Sequence, residues 1–359
     1  MKFTQVTLGF TLTEFMLALL IGSFLLLGTM KMYITIMRHY SVTQQYTKLQ
    51  EKMRTAYSIL QDEINMAGNY ACGQTEQFHN HLNQSEHDWW NTAFEYGIYG
   101  VDGSGDKHLS HQNDFHDASY WPQAIASQAR KDSDFILLAR MSTASSVAHL
   151  SQDGQLIQLK HPYDHDDVKN GSLWMICNIS DSVFFQSSGS QKTQQIPHRM
   201  SIKVAQADDH LSPGNQQSIL DYNFTEGAQA GSMVANILFV AKSVSQHSYS
   251  LFREYLTFSS GKVSSRREEL IVGIENLQFE YGLVNDDKDI DYYSALQVGA
   301  MAAWHEVVNV RVGVLFASED NVLRNTGPQQ FVIAQQQVSV EQDKRRRVVS
   351  YFVLRIKSR

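Results

Sequence analysis

Gly9-Phe10-Thr11-Leu12-Thr13-Glu14 opens an apolar run that lasts to about Met30 and sets one carboxylate inside a segment long enough to cross a bilayer. A lone acid in such a segment costs on the order of 2.5 to 3.5 kcal/mol on insertion scales, so a chain that keeps one calls for a partner charge. Lys2 is the only formal side-chain charge ahead of it. In a secretory signal peptide the small-residue cleavage site follows the apolar stretch, whereas here the candidate, Gly9, precedes it. Cutting after Gly9 keeps the helix. Lys2 before the span and Lys31 and Arg38 after it give no positive-inside bias of their own.

Reading outward, no proline occurs before Pro122, and from Phe10 to Ala67 only Gly22 and Gly28 weaken a helix. Leu49, Met53, Ala56, Leu60, Ile64 and Ala67 recur at spacings of four and three, an apolar stripe that predicts packing on a folded head. With Gly68 at the C-cap, the whole helix would reach about 85 Å. Beyond it come short β-like runs: Phe135 to Ala139, Leu156 to Leu159, Leu173 to Cys177, Ile237 to Val240 and Tyr249 to Phe258. Val308, Val310, Val312, Val314 and Phe316 alternate with Asn309, Arg311 and Gly313, which predicts a half-buried strand, and Val348 to Ile356 predicts another. The expected fold class is α+β: one long N-terminal helix packed on an antiparallel sheet with long loops.

Composition is that of an ordinary folded ectodomain: 359 residues, 43% apolar, 19% charged. A formal charge of -7 argues against general affinity for nucleic acid. Cys72 and Cys177 are the only cysteines and belong on the oxidising side of the membrane, where they are expected to pair in a disulfide, the alternative being two buried thiols. Asn285, Asp287, Asp289 and Asp291 offer alternate oxygen ligands for calcium but lack the glycine and glutamate of an EF-hand loop; the competing reading is a solvated turn. The residues themselves call for no cofactor. His79, His81 and His87, then His108, His111 and His116, sit in loop-like stretches without zinc-ligand spacing. Lys344 to Arg347 reads as a charged, solvated hairpin loop, and Trp89-Trp90 as core. No nucleophile elbow, phosphate-binding glycine loop or metalloprotease helix is present, so no enzyme is expected.

Glycine, aromatic residue and acid at Gly9, Phe10 and Glu14 resemble the class III signal of type IV prepilins. That resemblance implies cleavage after Gly9 by a prepilin peptidase, N-methylation of Phe10, and pairing of Glu14 with the free amine of a neighbouring subunit's Phe10 in the filament core. In low dielectric the two charges recover by pairing much of what each loses by desolvation. Segments from Leu49-Gln50-Glu51 through Met66-Ala67-Gly68-Asn69-Tyr70-Ala71-Cys72 resemble the helix end of PilW-type minor pilins. So, in order, do Asp134 to Leu138, Cys177 with Phe184-Phe185-Gln186, Ser250 to Arg253, Glu269 to Leu277, Trp304 with Val307 to Val312, and Arg346-Arg347. Lys31 departs from major pilins, which often carry a kinking proline there.

The resemblance implies residues 1–9 as leader, 10–33 as membrane and filament-core helix, 34–68 as amphipathic helix and 69–359 as head. It further implies a minor pilin in the inner membrane with a periplasmic head, later in the pilus. The partners would be other minor pilins, the major pilin, a PilY-type tip protein, the prepilin peptidase and the inner-membrane assembly platform. Three other readings share part of the signal: an ordinary signal anchor, a type II secretion pseudopilin, and a membrane-tethered adhesive or ligand-binding module.

Overall fold

The computed structural model describes residues 11–73, 77–83, 89–103, 123–142, 144–160, 168–192, 200–206, 210–217, 220, 224, 227–244, 248–323, 329–340 and 342–357. Helix α1 (Leu12–Asn65) runs unbroken for 54 residues, capped by Thr11 at one end and Met66 at the other. After it come β1 (Gln77–Asn80), α2 (Trp89–Tyr96), β2 (Ile98–Val101), α3 (Gln123–Gln128), β3 (Phe135–Met141), β4 (Ser145–Leu150), β5 (Leu156–Leu159), β6 (Leu173–Cys177), β7 (Asp181–Lys192) and β8 (Met200–Val204). The rest of the chain holds β9 (Gln229–Lys242), β10 (Tyr249–Ser259), β11 (Lys262–Val272), β12 (Ile274–Val284), β13 (Ile290–Tyr293), α4 (Ala295–Ala300), β14 (Asn309–Asn321), β15 (Gln330–Ile333), β16 (Gln336–Ser339) and β17 (Arg345–Arg355).

The single antiparallel sheet expected from the sequence is instead two. Eleven strands form one sheet, whose long path runs β1-β7-β8-β5-β4-β9-β10-β11 and which includes a parallel β1-β7 pair. Four strands, in the order β13-β12-β14-β17, form the second, and β15 and β16 make a separate hairpin. The alternation at Val310, Val312, Val314 and Phe316 holds, with all four in the core beside Leu49, Ala56, Leu60 and Ile64 of α1. The expectation of a half-buried strand fails from Val312 to Ser318, where both faces of β14 are buried. Ile333 and Val338 of the hairpin pack on Leu315 there. A side chain at Gly313 would come within 2.3 Å of Ile333, so glycine admits the hairpin.

The two sheets are stapled by residues 132–134. Asp134 is buried, its Oδ1 accepting from Gly103 N at 2.6 Å and its Oδ2 from Phe279 N at 2.8 Å. Ser133 Oγ bonds both N and O of Leu277. Burial pushes the Asp134 carboxyl well above the usual carboxylate range, against the two backbone donors that favour its charge.

The helix ends at Asn65, and Gly68, two residues beyond the cap, takes the left-handed conformation at φ 68°. Its N–H donates to Ala139 O at 2.8 Å. Gly97, at φ 74°, faces it so closely that an added Cβ would lie 2.4 Å from Gly68 Cα. Two glycines therefore let the turn after α1 nest against the turn after α2. Gly97→Ala combines left-handed strain with this overlap and should destabilise the head by at least about 1–3 kcal/mol, read as a lowered thermal midpoint for the purified full-length protein.

Candidate functional site

Helix α1 lives in two environments, and its sequence changes character between them. From Leu12 to Tyr40 the apolar side chains stand in the open, Leu12 at 78% and Phe24 at 67% exposure. This segment is long and apolar enough to cross a membrane, and none of it is buried against the other described residues. The hydroxyls of Ser23, Thr29 and Thr35 donate to the carbonyls of Leu20, Leu26 and Lys31, so these three donors are met within the helix itself. An added Cβ at Gly22 or Gly28 would meet nothing within 4 Å, so no packing within this chain requires glycine at either position.

Glu14 closes a capping box at the start of the helix. Its Oε2 accepts from Thr11 N and from Thr11 Oγ1, both at 3.0 Å, while Glu14 N donates to Thr11 Oγ1 at 3.4 Å. The carboxylate thus folds back over the first turn, toward the chain that precedes Thr11. Gly9 and Phe10 lie outside the described residues.

The second half of α1 is fastened to the head along its length. Gln45 Nε2 donates to Asp320 Oδ2 at 2.6 Å, and Lys48 and Lys52 pair with Glu319 at 3.1 and 2.9 Å. Hydrogen bonds from Lys52 and Lys48 hold the Glu319 carboxyl below its usual range. Solvent screens such exposed pairs, so they add little to stability. The Arg346 guanidinium lies 4.8 Å over the Tyr46 ring, and Tyr57 meets Phe352 edge-on at 5.4 Å. Leu49, Ala56, Leu60 and Ile64 are buried and Met53 partly so, as the stripe implies. Near the end, Glu63 accepts from Arg253 at 2.8 Å and from Asn236 at 2.7 Å, and Lys357 N donates to Asn65 O at 3.1 Å.

Just past the helix, Cys72 and Cys177 are joined in a disulfide, with Cα atoms 6.1 Å apart. It ties the post-helix turn to the end of β6 across 105 residues, a closure that stabilises by up to about 4.7 kcal/mol in the chain-entropy model.

Lys344 to Arg347 is not the solvated loop that the sequence suggested. Arg345 and Arg347 are buried at the start of β17: Arg347 donates to both oxygens of the buried Glu275, at 2.6 and 3.1 Å, and Arg345 lies 2.9 Å from Glu275 Oε1. Asp343 completes the cluster at 2.5 Å from Arg345 and 2.8 Å from Arg347. Desolvation pushes the Asp343 carboxyl up, but hydrogen bonds from Arg347 and Arg345 outweigh it and hold the group at about 2. The signal was present: Arg-x-Arg puts both guanidinium groups on one face of a strand, and Glu275 is the one acid in the run Ile271 to Leu277.

Elsewhere the polar clusters stay apart. Asn285 Oδ1 accepts from the N–H groups of Asp287 and Asp289, its Nδ2 donates to Asp291, and the segment forms a turn between β12 and β13. Among the described residues, no three His, Cys, Asp or Glu side chains are grouped to hold a metal. His79 sits 3.2 Å from Asp181, and desolvation lowers the pKa of the buried His81 imidazole. His87, His108, His111 and His116 fall outside the described residues. Trp89 and Trp90 are buried in α2.

Residues 237–357 match the family PilW, Type IV Pilus-assembly protein W. The matched span holds part of β9 and everything from β10 to β17, including the Glu275 cluster and the four-stranded sheet whose β14 and β17 pack on α1. It contains the resembling blocks at Ser250, Glu269, Trp304, Val307 and Arg346; those at Leu49, Asp134 and Cys177 lie outside it. No curated protein and no solved structure matches the chain. The match supports a PilW-type pilus protein and involvement in type IV pilus assembly, a family that is in general structural and not catalytic.

Arg347→Ala would leave Glu275 buried with half its counter-charge and should cost about 3–5 kcal/mol, seen in thermal unfolding. Because the folded-state pKa of Asp343 is depressed, its stabilisation is complete above about pH 4 and is lost as pH falls toward 2. Asp343→Asn should remove that part of the acid-unfolding curve.

Proposed function

We propose that this PilW-type chain is a minor pilin: a rare subunit, cut by prepilin peptidase after Gly9 and methylated on Phe10, that primes or supports assembly of the type IV pilus. Residues 1–9 are its leader, 10–33 its membrane and filament-core helix, 34–68 the amphipathic half of the helix with the turn that ends it, and 69–359 the head. Before assembly the helix holds it in the inner membrane with the head in the periplasm. In the filament it takes a tip position with other minor pilins and a PilY-type protein, over which the platform adds the major pilin.

The observation that carries this reading is the division of α1. One half is seated on the head by Gln45, Lys48, Lys52 and the buried stripe, while the other stands bare with Glu14 as its only ionisable side chain from Leu12 to Met30. A bare apolar helix needs lipid or other helices around it, and a lone acid within it needs a counter-charge. Both needs are met when such helices bundle, each Glu14 beside the amine of a neighbour's Phe10.

The pseudopilin reading shares the N-terminal signal, and the family match favours the pilus. Surface pili counted by electron microscopy in a deletion strain separate the two. Pili should be lost, return with the wild-type chain, and not return with Glu14→Val, which should remain inserted and processed yet absent from sheared fractions. Normal pili in the deletion strain, with secretion impaired, would replace this proposal with the secretion role.

A further inference from the structure

The bare half of α1 changes character before it reaches the head. From Leu12 to Met30 it is apolar on every side apart from Glu14 and the hydroxyls of Thr13, Ser23 and Thr29. That stretch covers about 30 Å, the thickness of a bilayer core. Lys31 ends it, and among the described residues Gln45 makes the first side-chain hydrogen bond from the helix to the head. Between them Met32, Tyr33, Ile36, Met37 and Tyr40 fall on one side of the helix, in the spacing of adjacent turns. All five are exposed, Ile36 at 53% and Tyr40 at 67%.

Because α1 is one unbroken helix, its seated half shows which way each side of the bare half faces. A step of eighteen residues is about five turns and returns to the same side. One such step beyond Lys31 and Arg38 stand Leu49 and Ala56, both buried against the head. One step beyond Met32, Tyr33, Ile36, Met37 and Tyr40 stand Gln50, Glu51, Arg54, Thr55 and Ser58, every one exposed. The two cations therefore lie on the side that carries the head, and the five apolar residues on the side turned away from it. Ile34 is the exception, one step before the partly buried Lys52 at the flank of the seat. The strip also has an upper end, since Thr43, Gln44 and Thr47 continue the same side with polar residues.

Lipid and water surround an upright helix alike on every side, so neither accounts for one apolar side at a height where the others carry Lys31, Thr35, Arg38 and His39. The head, on the opposite side, does not cover it. A one-sided cover is another protein, and one that reaches Tyr40, about 15 Å beyond Met30, stands upright beside the helix. We propose that this strip docks the N-terminal helix of a different pilin-like subunit, anchored in the same membrane and apolar along its facing side to the same height. The choice of occupant rests on the reading of this chain as a rare pilus subunit, which supplies such neighbours and few copies of the chain itself. Five apolar side chains above the bilayer would otherwise stand in water, so the docking begins while both helices are still in the membrane. Lys31 and Arg38 keep the opposite side polar and leave the neighbour one side to approach.

Photoreactive benzoylphenylalanine would be placed at Ile36, Tyr40 or Arg38, one position at a time, in the full-length chain, and cells sheared free of pili would be irradiated. The expected result is an adduct from Ile36 and Tyr40, several-fold above that from Arg38, to one protein whose peptides include a membrane-length N-terminal helix of its own. Equal adducts from both sides, no protein adduct, or adducts only to a second copy or to lipid would overturn the proposal. Ile36→Lys should lower the amount of the subunit in sheared pili several-fold while leaving it inserted and processed, and Thr35→Lys, on the side of the head, should not. Undiminished incorporation of Ile36→Lys would likewise overturn it. Pili counted in the same strains keep the two readings apart. Restored pili without a one-sided adduct remove the docking strip and leave the assembly role. Unchanged pili in the deletion strain remove the assembly role, while the sidedness of the adducts still decides the docking.

Discussion

Leu49, Ala56, Leu60 and Ile64 pack into the face of the four-stranded sheet lined by Val310, Val312, Val314 and Phe316, and the rest of the molecule depends on that contact. A fully buried aliphatic side chain contributes about 1.5–3 kcal/mol, so the shared core is the main adhesion between helix and head. The polar contacts at Gln45, Lys48 and Lys52 add little energy but fix where along the helix the head begins. The same 54-residue element can then be bare at one end and buried at the other without a break, since helix propensity and backbone bonding are indifferent to what surrounds the side chains.

What could be read from the sequence was whatever leaves a period in it. The stripe from Leu49 to Ile64 repeats every three to four residues, and β14 and β17 repeat every two, so both were legible, although the sequence reading carried the helix a little beyond its end at Asn65. The division into two sheets was not, because strand order is decided by long-range pairing that leaves no local pattern. Burial of both faces of β14 escaped for a related reason: it is imposed by a hairpin whose Ile333 lies 18 residues beyond Leu315, and the only local trace is the glycine at 313. Arg345 and Arg347 were misjudged because charge was read as exposure, whereas two guanidinium groups can be carried inside when two carboxylates go with them.

Charge in this protein is sorted by depth. In the interior, Glu275 is matched by Arg345 and Arg347, and Asp134 is held by backbone donors that tie one sheet to the other. Such groups add specificity more than stability, since a hydrophobic replacement of equal shape could pack as well while a slipped register would strand a buried charge. At the far end of β17, by contrast, Arg355 and Lys357 are exposed and make no ion pair among the described residues. The Cys72–Cys177 bond lies between these regimes, at the place where the helix gives way to the head.

The seat of the helix also determines how the protein would carry a load. Glu319 and Asp320, which receive Lys48, Lys52 and Gln45, belong to β14, and β14 has a strand on each side. Tension applied through the bare half of α1 first meets the head at these residues and is then carried by the buried stripe onto the stretch Val310 to Phe316 of β14, an interior strand held by two ladders of hydrogen bonds. An edge strand in that place could be peeled away one bond at a time. Here the ladders on both sides of β14 must yield together, so a subunit pulled by its helix would resist as a whole sheet.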